Sequence, residues 1–188
     1  KLSVSRGTLR EAFKILMARN VLEIHQGAGT FMSRKQGVAD DPFGLSLLQD
    51  ASWMLQQMLD VRLMIEPRIA ELATLYATDL QKNDLSACVA EMENAGGNRA
   101  FYVTVDERFH RILAEACGNC VLSKFSRSLQ GSIEKNIKVL SDEGTWSTHM
   151  YGHKKIFQAV LDGDMECAKT AMMMHLYVVK RAMHENKV

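Results

Sequence analysis

A helical pattern that leads directly into two short strands, within residues 5–32, constrains the fold of this chain more than any other stretch. Apolar residues recur at three- and four-residue spacing and predict one stripe along the helix; they are Leu9, Ala12, Phe13, Leu16 and Met17. Ser5 stands just before them and predicts an N-cap, because its hydroxyl oxygen can accept a hydrogen bond from a free amide of the first turn. Residues 21–24 predict a strand, 26–29 a tight turn and 30–32 the returning strand. The order predicts a helix followed at once by a β-hairpin.

Two arginines near the start of this helix point to DNA. Arg6 and Arg10 lie one turn apart, on the side away from most of the apolar stripe. The first residues of a recognition helix enter the major groove while its apolar face stays docked on the domain. We therefore expect Arg6 and Arg10 to contact bases or phosphates. The residues expected to fix the register on the DNA backbone are Ser5, Thr8, Gln26 and Gly27.

The charges of the chain are divided unevenly along its length. Residues 1–36 hold seven basic and two acidic side chains, whereas the remainder holds 16 basic and 20 acidic ones. A basic N-terminal segment followed by a mildly acidic remainder suits phosphate binding at one end of the protein. The formal net charge of +1 conceals this asymmetry.

The sequence also bounds the compartment. No apolar run approaches the length of about 20 residues that a membrane span needs, and no secretory signal is evident. Four cysteines fit a reducing compartment better than a disulfide framework, so we expect a cytoplasmic protein that does not contact membranes. Cys117 and Cys120 have CxxC spacing, but no second pair accompanies them. The intervening Gly-Asn more simply ends one helix and begins the next.

A polar stretch with two glycines and a proline, over residues 33–44, separates the hairpin from a long helical region. The predicted domains are a DNA-binding domain over 1–35, a linker over 36–44 and a helical domain over 45–188. The predicted helices run over 45–77, 80–95, 98–117, 120–140, 146–162 and 164–186. Pro67 is expected to distort or break the first of them. The chain is therefore predicted to be mainly α, with an antiparallel bundle of six or seven helices after the hairpin.

The helix and hairpin within residues 5–32 resemble a known family. Residues 6–12 (RGTLREA) and 21–31 (VLEIHQGAGTF) resemble the winged helix-turn-helix of GntR-type transcription regulators. In that family the chain would open inside the turn before the recognition helix. The resemblance thus implies a DNA domain whose N-terminal part is missing here, through truncation or disorder.

Polar residues stand in the middle of apolar stripes on three of the predicted helices. Asp106 and His110, four apart, lie on the face defined by Tyr102, Val105, Phe109, Leu113 and Ala116. His153 and His175 lie on the apolar faces of the fifth and the last predicted helices. A buried carboxylate needs a cation or strong donors nearby. Three inward imidazoles and one carboxylate that converge across a bundle predict a divalent-metal site.

This second pattern also resembles a known family. The segments DERFH at 106–110, HKKI at 153–156 and MHL at 174–176 resemble the metal-binding signature of the ligand-sensing domain in the FadR branch of GntR regulators, with separations of 43 and then 22 residues. Asp60-Val61-Arg62 with Glu66-Pro67 resembles its opening helix. The resemblance implies effectors such as hydroxy acids, sugar acids or other metabolic carboxylates. An octahedral ion on four protein ligands keeps two positions open, and Zn²⁺, Ni²⁺, Fe²⁺ and Mn²⁺ are all admissible.

Several residues near this signature have alternative interpretations. His149, one turn before His153, is the main rival ligand, although its position near a helix start favours exposure; His25 and His184 are expected not to bind metal. Arg62 is a candidate clamp for an effector carboxylate, or else one partner of a surface pair with Glu66. Asn136 is a weaker candidate for contact with the effector.

Together these features predict a transcription regulator, most simply a repressor. It is expected to bind an inverted-repeat DNA operator as a homodimer and to respond to a small carboxylate. An effector changes DNA binding only if its affinity differs between the arrangement that binds DNA and the arrangement that does not. A metal-dependent hydrolase is the competing class, since open metal positions can activate water. The chain lacks an HExxH arrangement and a convincing general base, which counts against it. A regulator with a purely structural metal is the third possibility.

Overall fold

The structure is a computed structural model that describes residues 3–33, 37, 51–134 and 143–185. Within these residues it contains seven helices and one two-stranded sheet, so the predicted mainly α fold is confirmed. The chain divides into two compact units, Lys1–Leu47 and Leu48–Val188. Most of the predicted linker, over 36–44, lies outside the described residues, and the predicted domain limits stay a prediction.

The first unit consists of a helix and a hairpin. Helix α1 spans Arg6–Ala18, strand β1 Leu22–His25 and strand β2 Gly29–Met32, and the strands pair antiparallel with Leu22 opposite Met32. Ser5 caps α1, because its Oγ accepts a hydrogen bond of 3.1 Å from the amide of Thr8. Gly27 and Gly29 adopt positive φ angles of 79° and 119°, which only glycine tolerates easily.

The apolar stripe of α1 is covered less than its sequence suggests. Leu9, Phe13 and Leu16 are half-buried, whereas Ala12 is exposed, and no residue of α1 is fully buried. Among the described residues of this unit, α1 thus keeps part of its apolar face open to solvent.

The second unit is an all-helical bundle, as predicted. Its helices are α2 (Ala51–Tyr76), α3 (Asp79–Glu93), α4 (Arg99–Ala116), α5 (Cys120–Glu134), α6 (Glu143–Asp162) and α7 (Met165–Glu185). Helix α2 packs mainly against α7, α6 also packs against α7, and α3 packs against α4. None of the helices in the described ranges is long and apolar enough to cross a membrane.

Short polar side chains determine where these helices begin. Thr78 and Gln81 form a reciprocal capping box at the start of α3. Asn98 accepts a hydrogen bond of 3.1 Å from the amide of Phe101 at the start of α4. Asn119 accepts from the amides of Val121 and Leu122, which begins α5 at Cys120. The Gly-Asn pair between the CxxC cysteines therefore serves as a helix boundary, as the sequence indicates.

The predicted break at Pro67 is absent. Helix α2 continues from Ala51 to Tyr76 with Pro67 inside it. Proline lacks the amide that would donate to the carbonyl one turn earlier. Here the residue is buried, and its neighbours Glu66, Ile69 and Ala70 are at most 2% exposed. Tertiary packing on this side of α2 therefore outweighs the lost hydrogen bond.

The face of α4 predicted to be buried is buried throughout. Its residues are Tyr102, Val105, Phe109, Leu113 and Ala116, none more than 5% exposed. On α6, Ile156, Ala159 and Val160 lie in the core beside His153. On α7, Met172, Leu176 and Val179 do the same beside His175. Helices α4, α6 and α7 thus bring their polar residues into one apolar interior.

Candidate metal centre

Four side chains from three helices meet in the interior of the bundle. Asp106 and His110 come from α4, His153 from α6 and His175 from α7, and each offers one ligand atom within 4.8 Å of the others. The three histidines are at most 4% exposed, whereas the side chain of Asp106 is 25% exposed. These four residues, predicted separately from three helices, form one cluster with the donor types of a metal site.

The distances inside this cluster suit a shared ion. Oδ1 of Asp106 lies 2.8 Å from Nε2 of His153 and 4.0 Å from Nε2 of His110. Ligand atoms about 2.1 Å from an octahedral ion are separated by about 3.0 Å when adjacent and about 4.2 Å when opposite. Small movements of these side chains would therefore complete a coordination shell.

The orientation of His153 makes the fit more specific. Its Nδ1 lies 2.9 Å from the backbone carbonyl oxygen of His149, which can only accept a hydrogen bond, so Nδ1 carries the proton. Nε2 then faces the carboxylate oxygen of Asp106 at 2.8 Å. A carboxylate oxygen and an imidazole nitrogen approach each other this closely when they share a proton or a metal ion. The donor set of this structure thus fits a metal ion.

The electrostatics of the cluster keep its ligands ready for a cation. Burial alone raises the pKa of Asp106, but the interaction with His153, followed by those with His110 and His175, keeps it well below its usual range. Burial also lowers the pKa of His175 well below its ordinary value, and the neighbouring histidines lower it further. At neutral pH Asp106 is charged and His175 is a neutral imidazole with a free lone pair.

Arg62 lies beside this cluster, and its pair with Glu66 is buried. Nε of Arg62 donates to Oε1 of Glu66 at 2.6 Å, and both side chains are less than 10% exposed. The alternative of a surface pair is therefore wrong, because α2 turns this face toward the other helices. Nη2 of Arg62 lies 3.5 Å from Nε2 of His110. The guanidinium thus reaches the side of His110 that faces Asp106.

Glu66 is a site residue that the sequence did not single out. Its Oε2 lies 2.8 Å from Nδ1 of His110 and 3.2 Å from Nη2 of Arg62. Burial raises its pKa, but the charges of Arg62 and His110 outweigh this and lower the pKa to about 2. The signal in the sequence was an arginine and a glutamate four apart on a helix, a pattern that surface pairs share.

Among the described side chains, the other histidines are not members of the cluster. The side chain of His149 is half-buried rather than exposed, with its ring centroid 6.1 Å from that of His175. Its backbone carbonyl oxygen accepts the hydrogen bond from His153. His25 lies in β1 beside Glu23 and Phe31. Asn136 and the side chain of His184 lie outside the described part of the chain.

The predicted DNA-contacting residues lie together in the first unit, on its surface. Every one of them is exposed: Ser5, Arg6, Thr8 and Arg10 at the start of α1, and Gln26 and Gly27 in the hairpin turn. Oγ of Ser5 and Oγ1 of Thr8 are 2.9 Å apart. One turn after Arg10, Lys14 pairs with Glu11 at 2.9 Å. The two arginines therefore project from a capped helix start into solvent.

Known proteins share both parts of this architecture. The FCD domain family matches residues 57–177, which include all four clustered residues. The Uxu operon transcriptional regulator of Escherichia coli is 31% identical over 98% of this chain and 74% of its own length. The galactonate operon transcriptional repressor of Escherichia coli is 26% identical over 91% of this chain and 77% of its own length. A solved structure, Streptococcus agalactiae GntR, matches with a TM-score of 0.79 and 34% identity, covering 95% of this chain and 82% of that one.

These similarities decide between the classes that the sequence left open. The relatives are named as regulators of transcription, and they match nearly the whole chain, hairpin and bundle together. The metal-dependent hydrolase is therefore excluded, and the resemblance seen in the two sequence motifs is confirmed. The chain belongs to the GntR family of DNA-binding transcription regulators, among those that carry an FCD domain.

Proposed function

We propose that this regulator holds a divalent transition metal through Asp106, His110, His153 and His175, and that a small carboxylate effector bound beside the metal controls its affinity for an operator. The observation that carries the proposal is the meeting of four ligand atoms within 4.8 Å, on side chains from three helices of the bundle. A carboxylate and three imidazoles suit Zn²⁺, Ni²⁺, Fe²⁺ or Mn²⁺. When bound, such an ion supplies positive charge and coordination positions that an anion can take.

Arg62 is the second element of the proposed effector site. Its Nη2 is 3.5 Å from the imidazole of His110, so its charge lies beside the metal ligands. A guanidinium presents paired N–H donors that match the two oxygens of a carboxylate. One relative is named for the operon of galactonate, a hydroxy acid. We therefore place the effector among hydroxy acids and sugar acids, with its carboxylate directed at Arg62 and the metal.

The DNA-binding end completes the proposed regulator. Arg6 and Arg10 are exposed at the start of α1, where a recognition helix meets base edges. Two copies of the chain would place two such helices on an inverted repeat, with Ser5, Thr8, Gln26 and Gly27 against the phosphate backbone. We propose that the protein represses transcription and that the effector relieves repression, because the effector prefers the arrangement that binds DNA less well.

Metal titration of the purified chain tests the metal site directly. After treatment with chelator and dialysis, Zn²⁺ is added in a competition titration. We expect one ion per chain in the parent and loss of tight binding in His153→Ala. His25→Ala is the matched control, because His25 lies in β1 outside the cluster. Equal zinc binding by His153→Ala and the parent would contradict the proposed site.

A mobility-shift experiment tests the control of DNA binding. The DNA fragment upstream of the protein's own gene is titrated with metal-loaded protein, with and without a panel of carboxylates that includes galactonate. We expect at least one carboxylate to weaken the complex, and we expect the effect to disappear in Arg62→Gln or after chelation. Control by an effector elsewhere in the protein would leave the response of Arg62→Gln unchanged.

A further inference from the structure

We infer that Glu66 is a positioning residue that joins the metal ligand His110 to the carboxylate clamp Arg62 through one buried carboxylate. The inference rests on the proposed metal site and adds a residue that lies outside the four-ligand cluster. Glu66 is 2% exposed and comes from α2, whereas His110 comes from α4. Its carboxylate therefore links two helices behind the ligand atoms.

Glu66 contacts His110 at the ring nitrogen that lies away from Asp106. Oε2 of Glu66 lies 2.8 Å from Nδ1 of His110, while Nε2 of the same ring is the nitrogen that lies toward Asp106. A carboxylate at Nδ1 holds the proton of the imidazole on that nitrogen and leaves the lone pair on Nε2. Such outer carboxylates fix ring orientation and raise the basicity of the metal-facing nitrogen. Glu66 thus selects the tautomer of His110 that can bind metal.

Arg62 and His110 share one carboxylate oxygen of Glu66. Nη2 of Arg62 lies 3.2 Å from Oε2 of Glu66 and 3.5 Å from Nε2 of His110. The oxygen that contacts Nδ1 of His110 is therefore the oxygen that also holds Nη2 of Arg62. An anion that draws this guanidinium toward itself weakens the contact with Oε2 and leaves that oxygen more fully to His110. Through Glu66, occupation of Arg62 strengthens the metal ligand.

Glu66→Gln tests this role, because it keeps the shape of the side chain and removes its charge. Zn²⁺ affinity is measured by competition, and the visible spectrum of bound Co²⁺ reports the donor strength of the ligands. We expect zinc binding about 10- to 100-fold weaker than in the parent and a shifted Co²⁺ spectrum. Glu71→Gln is the matched control, since Glu71 lies on the same helix and pairs with Arg68 outside the cluster.

The outcomes separate the two proposals. If the parent fails to bind Zn²⁺, the metal site is wrong and the role of Glu66 is overturned with it. If the parent binds Zn²⁺ and Glu66→Gln matches Glu71→Gln in affinity and Co²⁺ spectrum, the role of Glu66 alone is overturned. Should Glu66→Gln not fold, long-range ¹H–¹⁵N correlation on the metal-free parent decides instead. A proton on Nδ1 of His110 supports the inference, and a proton on Nε2 overturns it.

Discussion

The imidazole of His175 packs directly against the backbone of Gly152. A Cβ added to residue 152 would lie 2.8 Å from Nδ1 of His175 and 3.1 Å from its Cβ. Contacts this short are not sustained, so either the ring or α6 would have to move. The close approach of α6 and α7 at this point therefore depends on glycine, even though glycine inside a helix costs roughly 1 kcal/mol relative to alanine. Glycine at residue 152 therefore allows the ring of His175 to occupy its position in the cluster.

Gly152→Ala should weaken metal binding. The added methyl group pushes the ring of His175 away from the other ligands, and we expect zinc affinity to fall about 10-fold or more, since an error of about 0.5 Å spoils a preorganised site. The measurement is a zinc competition titration. Gly7→Ala is the control, because Gly7 also lies within a helix but a Cβ there meets only Oγ of Ser5 at 3.6 Å. Unchanged affinity in Gly152→Ala would contradict the dependence of the metal site on the close contact between Gly152 and His175.

Removing the metal should lower the stability of the helical unit. Binding to the folded state alone stabilises it by about 2.7 kcal/mol when the free ion is at 100 times its dissociation constant. For a protein of this size that corresponds to a fall of about 5–10 °C in Tm after chelation. Differential scanning fluorimetry with and without EDTA measures it, and His153→Ala should show no difference.

The same chelation experiment distinguishes a sensor from a purely structural metal. If the effector binds at the metal, its affinity for the protein falls sharply once the metal is removed and the fold has been checked by circular dichroism. If the metal only holds the helices together, Tm falls while the residual folded protein binds the carboxylate as before. The second result would support the metal site but show that the metal takes no part in binding the effector.

The parts of the site that sequence could predict are those with a local signature. Asp106 and His110 stand at helical spacing inside an apolar stripe, and such a stripe is buried by whatever helix packs on it. Ser5 was predictable for the same reason, since an N-cap depends on its own first turn. These residues lie in the structure where the local patterns place them.

The parts that sequence could not predict depend on which helix packs where. The pair Arg62 and Glu66 has the spacing of an exposed ion pair, and only the packing of α2 against its neighbours buries it. Gly152 has no local pattern at all, because its importance comes from a side chain on another helix. Pro67 suggested a break for a local reason that tertiary packing overrides. Each of these cases is a contact between elements distant in the sequence.

The cysteines should differ in reactivity in a way that reports the fold. Burial raises the pKa of Cys88 above its ordinary value, and the hydrogen bond from Nε of Arg108, at 3.2 Å, opposes this only in part. Since the thiolate is the reactive form, Cys88 should resist alkylation in the native protein. Raising the pH through 9 should not make Cys88 reactive. Cys120 and Cys167 are exposed and should react. Peptide mapping after iodoacetamide treatment measures this, and equal native labelling of Cys88 and Cys120 would contradict the packing of α3 on α4.

Arg10→Ala should weaken operator binding, because Arg10 is exposed on the part of α1 that we propose to meet the groove. Loss of a bidentate contact to a guanine costs about 1–3 kcal/mol, which is about 5- to 150-fold in affinity for each half-site. Lys14→Ala is the matched control, since Lys14 lies one turn further along and is engaged with Glu11.

A titration at several salt concentrations shows whether Arg10 contacts a phosphate or a base. A lost phosphate contact reduces the salt dependence and weakens all sequences alike, whereas a lost base contact relaxes the preference for the operator. If Arg10→Ala binds the promoter fragment as tightly as the parent and as Lys14→Ala, then α1 does not enter the groove by its N-terminal end.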